Sequence, residues 1–199
     1  MDLGVKPATQ RLYIGIDPGV AGAVAAIDQK GQVISLQDTP TITVKRGKVL
    51  RREYAEPAMA ALLEGILQSA GAAYCPCGNP SRHLMQNVLV ALENVHSMPK
   101  QGVASSFSFG VGFGVWRGII ATLGLPHERV EPGVWKRALK LTANKGTAVA
   151  KALRLFPRAE LGHAFQGRMI YSDGRAEALL LAYYALQQAN SKTPLKSKA

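Results

Sequence analysis

Hydrophobic positions fall into short runs that alternate between strand-like and helix-like spacing. Residues 12–18 (LYIGIDP) are apolar and β-branched and predict a buried strand. A Gly-rich turn follows at Gly19 to Gly22, then AVAAID at 23–28 and QVISLQD at 32–38, separated by a Gln29-Lys30-Gly31 turn. Together they predict a three-stranded antiparallel meander. Residues 43–53 (TVKRGKVLRRE) read as a polar, basic loop, with Lys45, Arg46, Lys48, Arg51 and Arg52 against Glu53. Met59, Leu62, Leu63, Ile66 and Leu67 recur at helical spacing within 55–70. Residues 87–95 (NVLVALENV) predict a fourth, strongly apolar strand.

The second half continues as mixed α/β. Residues 104–123 predict a helix, with Ser105 or Ser106 as candidate N-cap. Gly110, Gly114 and Gly118 recur every four residues on one stripe of it. Each glycine costs about 1 kcal/mol against alanine in a helix. The stripe therefore points to close approach of another backbone, either the protein's own sheet or a second copy. Residues 127–131 predict a short fifth strand, 132–139 a short helix opened by Pro132, 145–156 a helix stopped by Pro157, and 173–189 a last apolar helix. Residues 71–86 read as an irregular insertion and 190–199 as a basic, flexible tail around a core at 10–189. No internal repeat or domain boundary is visible, so the 199 residues are expected to form a single domain.

Charge changes the picture. Lys and Arg number 24 against 13 Asp and Glu, a formal net charge of +11 with a pI near 9.9. Such a field favours polyanions, nucleic acid foremost. No run approaches the roughly 20 apolar residues of a membrane span, and the first ten residues lack the apolar core of a secretory signal. The expectation is a soluble, cytoplasmic protein with no membrane partner. Cys75 and Cys77 cannot build a disulfide framework. With His83 they make an incomplete zinc set, so an ordinary reduced loop is the simpler reading.

Acids are scarce, so their positions carry information. Asp17 closes the first strand, Glu93 lies near the end of the most apolar strand, and Asp173 and Glu177 share a face at the start of the last helix. If the first and fourth strands are neighbours, all four converge. Clustered carboxylates would hold one or two hard divalent cations through oxygen. Such ions activate water at a phosphodiester. Each acid also has a simpler reading: Asp17 as a turn former, Asp173 as an N-cap with Glu177 near the positive helix end, and Glu93 in an ion pair with an arginine.

IGIDPGVAGAVAAID, LENVHSMPKQGVASSFSFGVGFGVWRG, EPGVWK and DGRAEALLLAYYAL, in that order, resemble the RuvC-type Holliday junction resolvases of the ribonuclease H-like superfamily. The SMPKQG…FGxGFGxWRG segment is most similar to the chloroplast-type resolvases and their bacterial and phage relatives. The resemblance covers roughly residues 12–188. It implies a five-stranded mixed β-sheet flanked by α-helices on both faces. It also implies a homodimer that nicks opposed strands of a four-way DNA junction. Asp17, Glu93, Asp173 and Glu177 match the acidic quartet that binds two Mg²⁺ or Mn²⁺ per active site. The last two acids are three apart in the housekeeping enzyme and four apart here, which leaves open which acid bridges the ions. Lys136 and Lys145 match lysines near the scissile phosphate, Lys145 among the catalytic residues. They lie in a basic tract with Arg137 and Lys140, whose side chains would contact phosphates. The loop at 96–106, with Met98, Pro99, Lys100 and Ser105, and Phe107 just beyond it, is implied to reach the junction centre. There Met98, Pro99 and Phe107 could wedge or stack against unpaired bases. The helix with Gly110, Gly114 and Gly118 matches the dimerisation helix.

The expected activity is therefore that of a crossover junction endodeoxyribonuclease, a hydrolase acting by two-metal chemistry. Two other classes fit parts of the chain. IGIDPGVAGAVAAID also looks like the first phosphate loop of an actin-like phosphotransferase or ATPase, although that fold needs two such domains. A catalytically inert junction-binding protein would share the same shape.

Overall fold

The computed structural model describes residues 11–70, 87–96, 102–142, 144 and 146–192. Strands β1 (Leu12–Ile16), β2 (Ala23–Asp28) and β3 (Val33–Asp38) form the expected antiparallel meander. Helix α1 (Glu56–Ser69) leads to β6 (Val88–Glu93), which lies parallel to β1 with Ile16 opposite Leu92. Helix α2 (Val103–Thr122) carries the chain to β7 (His127–Val130), parallel to β6. The sheet order is β3-β2-β1-β6-β7, so β1 is central and β6 is its neighbour. Parallel pairing requires crossovers, and both run through helices.

Helices α3 (Pro132–Ala138), α4 (Gly146–Leu155) and α5 (Asp173–Lys192) complete the chain. Every residue of β1 and β2 is buried, as a sheet covered on both faces requires. One face packs Tyr13, Ala25 and Ile27 against Trp135, Ala152 and Leu179 of α3, α4 and α5. The other packs Ile14, Ile16 and Val90 against Met59, Leu63, Trp116 and Ile120 of α1 and α2. The fold is α/β, a mixed five-stranded sheet with flanking helices, as expected.

Three local expectations need correction, and one element is new. The basic stretch at 43–53 is not a loop but most of a hairpin, β4 (Thr41–Arg46) and β5 (Val49–Tyr54). Its β-branched residues Thr41, Ile42, Thr43 and Val44 favour strand. Gly47 at φ +63 opens the two-residue Gly47-Lys48 connection, as a type II′ turn requires. A second hairpin, β8 (Gly162–Phe165) and β9 (Arg168–Tyr171), was not anticipated. Gln166 and Gly167 both have positive φ, the type I′ pattern, and Gln166 hides that signal. Neither Ser105 nor Ser106 caps α2: Gly102 is the N-cap and both serines lie within the helix. Finally, α2 is long and apolar enough to cross a membrane, by length and composition. Its Gly112, Trp116 and Ile120 are buried in this fold.

The 71–86 insertion with Cys75, Cys77 and His83 lies outside the described residues, as do Met98, Pro99, Lys100, Lys145 and the tail from 193.

Candidate active site

The turn after β1 is where the site begins. The Asp17 amide donates to the Ala23 carbonyl (3.0 Å), which closes the turn into β2. Gly19 N–H donates to Asp17 Oδ1 at 3.1 Å. Asp17 therefore does form the turn, and it also faces a cavity of about 490 Å³. The cavity is lined by Asp17, Glu93, Asp173 and Glu177 together, with Tyr54, Ser105 and Phe109 on its walls. The convergence follows from topology: β1 and β6 are adjacent and parallel, so Asp17 and Glu93 emerge at the same sheet edge.

Two glycines bring α5 close enough to complete the set. A Cβ on Gly15 of β1 would stand 2.0 Å from the Ala178 carbonyl oxygen, so α5 crosses β1 at backbone contact. A Cβ on Gly174 would stand 2.2 Å from the Ala21 carbonyl oxygen, so the first turn of α5 rests on the Gly-rich turn. Ser172 caps that helix through its Oγ, which accepts from Arg175 N–H at 3.2 Å. Asp173 is thus not the N-cap. It is the first helical residue, and it lines the cavity with Glu177 one turn on.

Asp17 and Glu93 lie deep in the site, whereas Asp173 is exposed at the start of α5 and Glu177 is part-buried. Burial pushes the Asp17 carboxyl up to about 6; the Gly19 amide opposes this, and Glu177 adds to it. Burial likewise pushes Glu93 up to about 7, with Glu177 and Asp17 contributing and Lys136 opposing. Among the described residues no arginine pairs with Glu93; instead Trp135 Nε1–H donates to its Oε1 at 3.1 Å. Lys136 Nζ donates to Glu177 Oε1 at 2.7 Å and lies 5.0 Å from the Trp135 ring centroid. Burial would lower the Lys136 pKa, but the bond to Glu177 and the nearby carboxylates outweigh it and raise it.

The remaining candidates spread outward. Arg137 and Lys140 are exposed on and just beyond α3 and do not line the cavity. Phe107 is 76% exposed on α2, so it is not a core residue. Gly110, Gly114 and Gly118 have nothing within 4 Å of a notional Cβ, so the stripe does not pack on the protein's own sheet. Trp135, Tyr54 and Arg175 were missed by sequence reasoning. Tyr54 donates to the Pro18 carbonyl (3.1 Å), and Arg175 grips Asp38 with two nitrogens at 2.7 and 3.0 Å. The Trp of EPGVWK, next to a singled-out lysine, was the one available signal.

The donor set suits a hard divalent cation: among the described residues, four carboxylates and no sulfur or imidazole line the cavity. Burial, with the neighbouring carboxylates, pushes two of them, Asp17 and Glu93, towards their neutral forms. Among the described residues, no group of three or more His, Cys, Asp or Glu side chains is arranged to hold an ion as it stands. Lys136 meanwhile holds Glu177. The residues fit such ions by chemistry and location.

No protein-family model and no curated protein matches the chain. Among solved structures, RuvC of T. thermophilus in complex with a Holliday junction substrate is similar with a TM-score of 0.54 at 14% identity, covering 92% of this chain and 97% of that one. A second Thermus thermophilus RuvC structure gives a TM-score of 0.46 at 16% identity, over 89% and 96%. The first likeness is one of fold, the mixed five-stranded sheet with flanking helices.

Proposed function

We propose that this chain is a divalent-metal-dependent endonuclease that makes symmetric nicks in four-way DNA junctions. The observation that carries the reading is the convergence of Asp17, Glu93, Asp173 and Glu177, from three separate elements, on one cavity in a protein of net charge +11. The similar fold of a protein solved with a Holliday junction substrate supports the choice of DNA substrate.

The four carboxylates would hold two Mg²⁺ or Mn²⁺, which when bound supply Lewis acidity at the phosphate and a more acidic water. Water adds to phosphorus in line, the bond to O3′ breaks, and the proton ends on the departing 3′ oxygen. Trp135 holds Glu93 in place through its N–H, and the Gly19 amide does the same for Asp17. Lys136, already at the rim, offers its ammonium to the substrate phosphate. Arg137, Lys140 and Lys145 extend the positive tract along which the DNA backbone lies. Phe107, with Met98, Pro99, Lys100 and Ser105, meets the junction centre, and α2 pairs two copies so that opposed strands are cut together.

The test is incubation with a mobile four-way junction, a linear duplex and an RNA–DNA hybrid, each with Mg²⁺ or EDTA. Symmetric nicking of the junction in Mg²⁺ alone supports the proposal. Preferential cutting of the hybrid would replace it with a ribonuclease H activity. Junction binding without cleavage would leave an inert binding protein.

A further inference from the structure

Beside the catalytic cavity lies a second cleft of about 600 Å³, walled by the roots of the two hairpins. Val20, Ala21 and Gly22 line both, so the cleft begins where the active site ends. From β4–β5 come Thr41 and Arg52; from β8–β9 come Gly162, His163, Ile170 and Tyr171. Asp38, the acid of this cleft, is already matched by the bidentate guanidinium of Arg175. Arg52 thus tips the cleft positive.

Strand register sorts the basic hairpin into two faces. Thr43 stands opposite Arg52 and Lys45 opposite Leu50, on the face shared with Thr41 and Tyr54. Arg51 stands opposite Val44, on the other face, with Glu53 and its partner Arg46. Arg52 and Lys45 therefore form a row leading outward from the cleft. Each strand has six residues, a reach of about 20 Å. The row's inner end is fixed: Tyr54, buried, is bonded to Pro18 beside Asp17. The facing hairpin exposes Met169 and Tyr171 on one face and Phe165 and Ile170 on the other, and Ile170 and Tyr171, at its root, line the cleft. A cationic wall opposite an apolar and aromatic wall, continuous with a phosphodiester-cutting cavity, matches a nucleic acid strand with phosphates on one side and sugars and bases on the other.

We propose that the cleft between the two hairpins binds the DNA strand that continues past the cleavage site, with Arg52 and Lys45 on its phosphates and the β8–β9 hairpin against its sugars and bases. This deepens the nuclease reading and rests on it for the substrate. Arg51 and Arg52 provide an internal control, because they are adjacent and both exposed but face opposite ways.

Binding of a labelled four-way junction is measured in EDTA across a salt series for the full chain. Arg52→Glu is expected to weaken binding about tenfold, and Arg52→Gln to reduce the salt slope by about one. Arg51→Glu should stay within about twofold of the unmodified chain. Equal losses for Arg51→Glu and Arg52→Glu, or an unchanged slope in Arg52→Gln, would overturn the cleft while leaving the nuclease reading intact. If the unmodified chain binds the junction but does not cut it in Mg²⁺, the nuclease reading falls and the cleft stands on its binding data. If it binds no DNA, both fall.

Discussion

At neutral pH Glu93 stands at its own titration point, because burial has carried its carboxyl up to about 7. Asp17 is held up to about 6 by the same cause. A carboxyl whose pKa is raised in the folded state binds its proton more tightly there than in the unfolded chain. The cost of folding is therefore absent at pH 3 to 4 and grows as pH rises through each group's window, from 3.8 to about 6 for Asp17 and from 4.5 to about 7 for Glu93. A shift of that size is on the order of 3 kcal/mol for either group. The melting temperature in EDTA should fall by roughly 6 °C or more between pH 5 and pH 8. In excess Mg²⁺ the fall should flatten, since a bound cation would favour the charged carboxylates of the folded state. A pH profile identical with and without Mg²⁺ would remove the metal from the site. Substitution gives the complementary test. Asp17→Asn keeps the size of the side chain and an oxygen for the Gly19 amide, but loses the charge. It should abolish cleavage while junction binding in EDTA persists, measured in parallel on the same substrate. Loss of both would make Asp17 a structural residue.

At the scale of elements, the site depends on how closely α5 approaches the sheet. Gly174→Ala places a methyl 2.2 Å from the Ala21 carbonyl oxygen, so either the helix or the Gly-rich turn must shift. Overpacking of this kind costs about 1–3 kcal/mol. The expected result is a lower denaturant midpoint, with cleavage reduced more than junction binding because Asp173 and Glu177 move with the helix. Unchanged stability and cleavage would show that the contact is slack. The core elements were legible in the sequence because their signals are local: LYIGI and VLVALE are buried on both faces and read as continuous apolar runs. The acids at their ends stood out against that background. The two hairpins were less legible. Their strands are mostly exposed, so no burial pattern marks them, and charge in one and a glutamine in the turn of the other masked the turn signals. The Trp135–Glu93 and Arg175–Asp38 bonds span 42 and 137 residues, distances at which no sequence period reports a contact.

At the scale of the molecule, α2 carries a long apolar surface that none of the described residues covers. On α2, Gly112, Trp116 and Ile120 are turned into the core, whereas Gly110, Gly114 and Gly118 face open space and Phe107 is exposed beside them. A glycine stripe weakens a lone helix, and close contact with a second copy, as proposed above, would give it a use. Pairing of two such helices would set two carboxylate cavities in a fixed relation, as the proposed paired nicking of opposed strands would require. Gly114→Glu separates the roles. Within one copy the substitution meets no neighbour and improves helix propensity, so the thermal stability of the monomer should hold or rise by up to about 1 kcal/mol. Between copies it puts a charge and several atoms where two backbones would touch. Light scattering should then report a shift from dimer to monomer. Junction digests should accumulate singly nicked product, because the second cut loses its coupling to the first. A Gly114→Glu protein that keeps the dimer mass and the paired nicks would place the partner contact elsewhere.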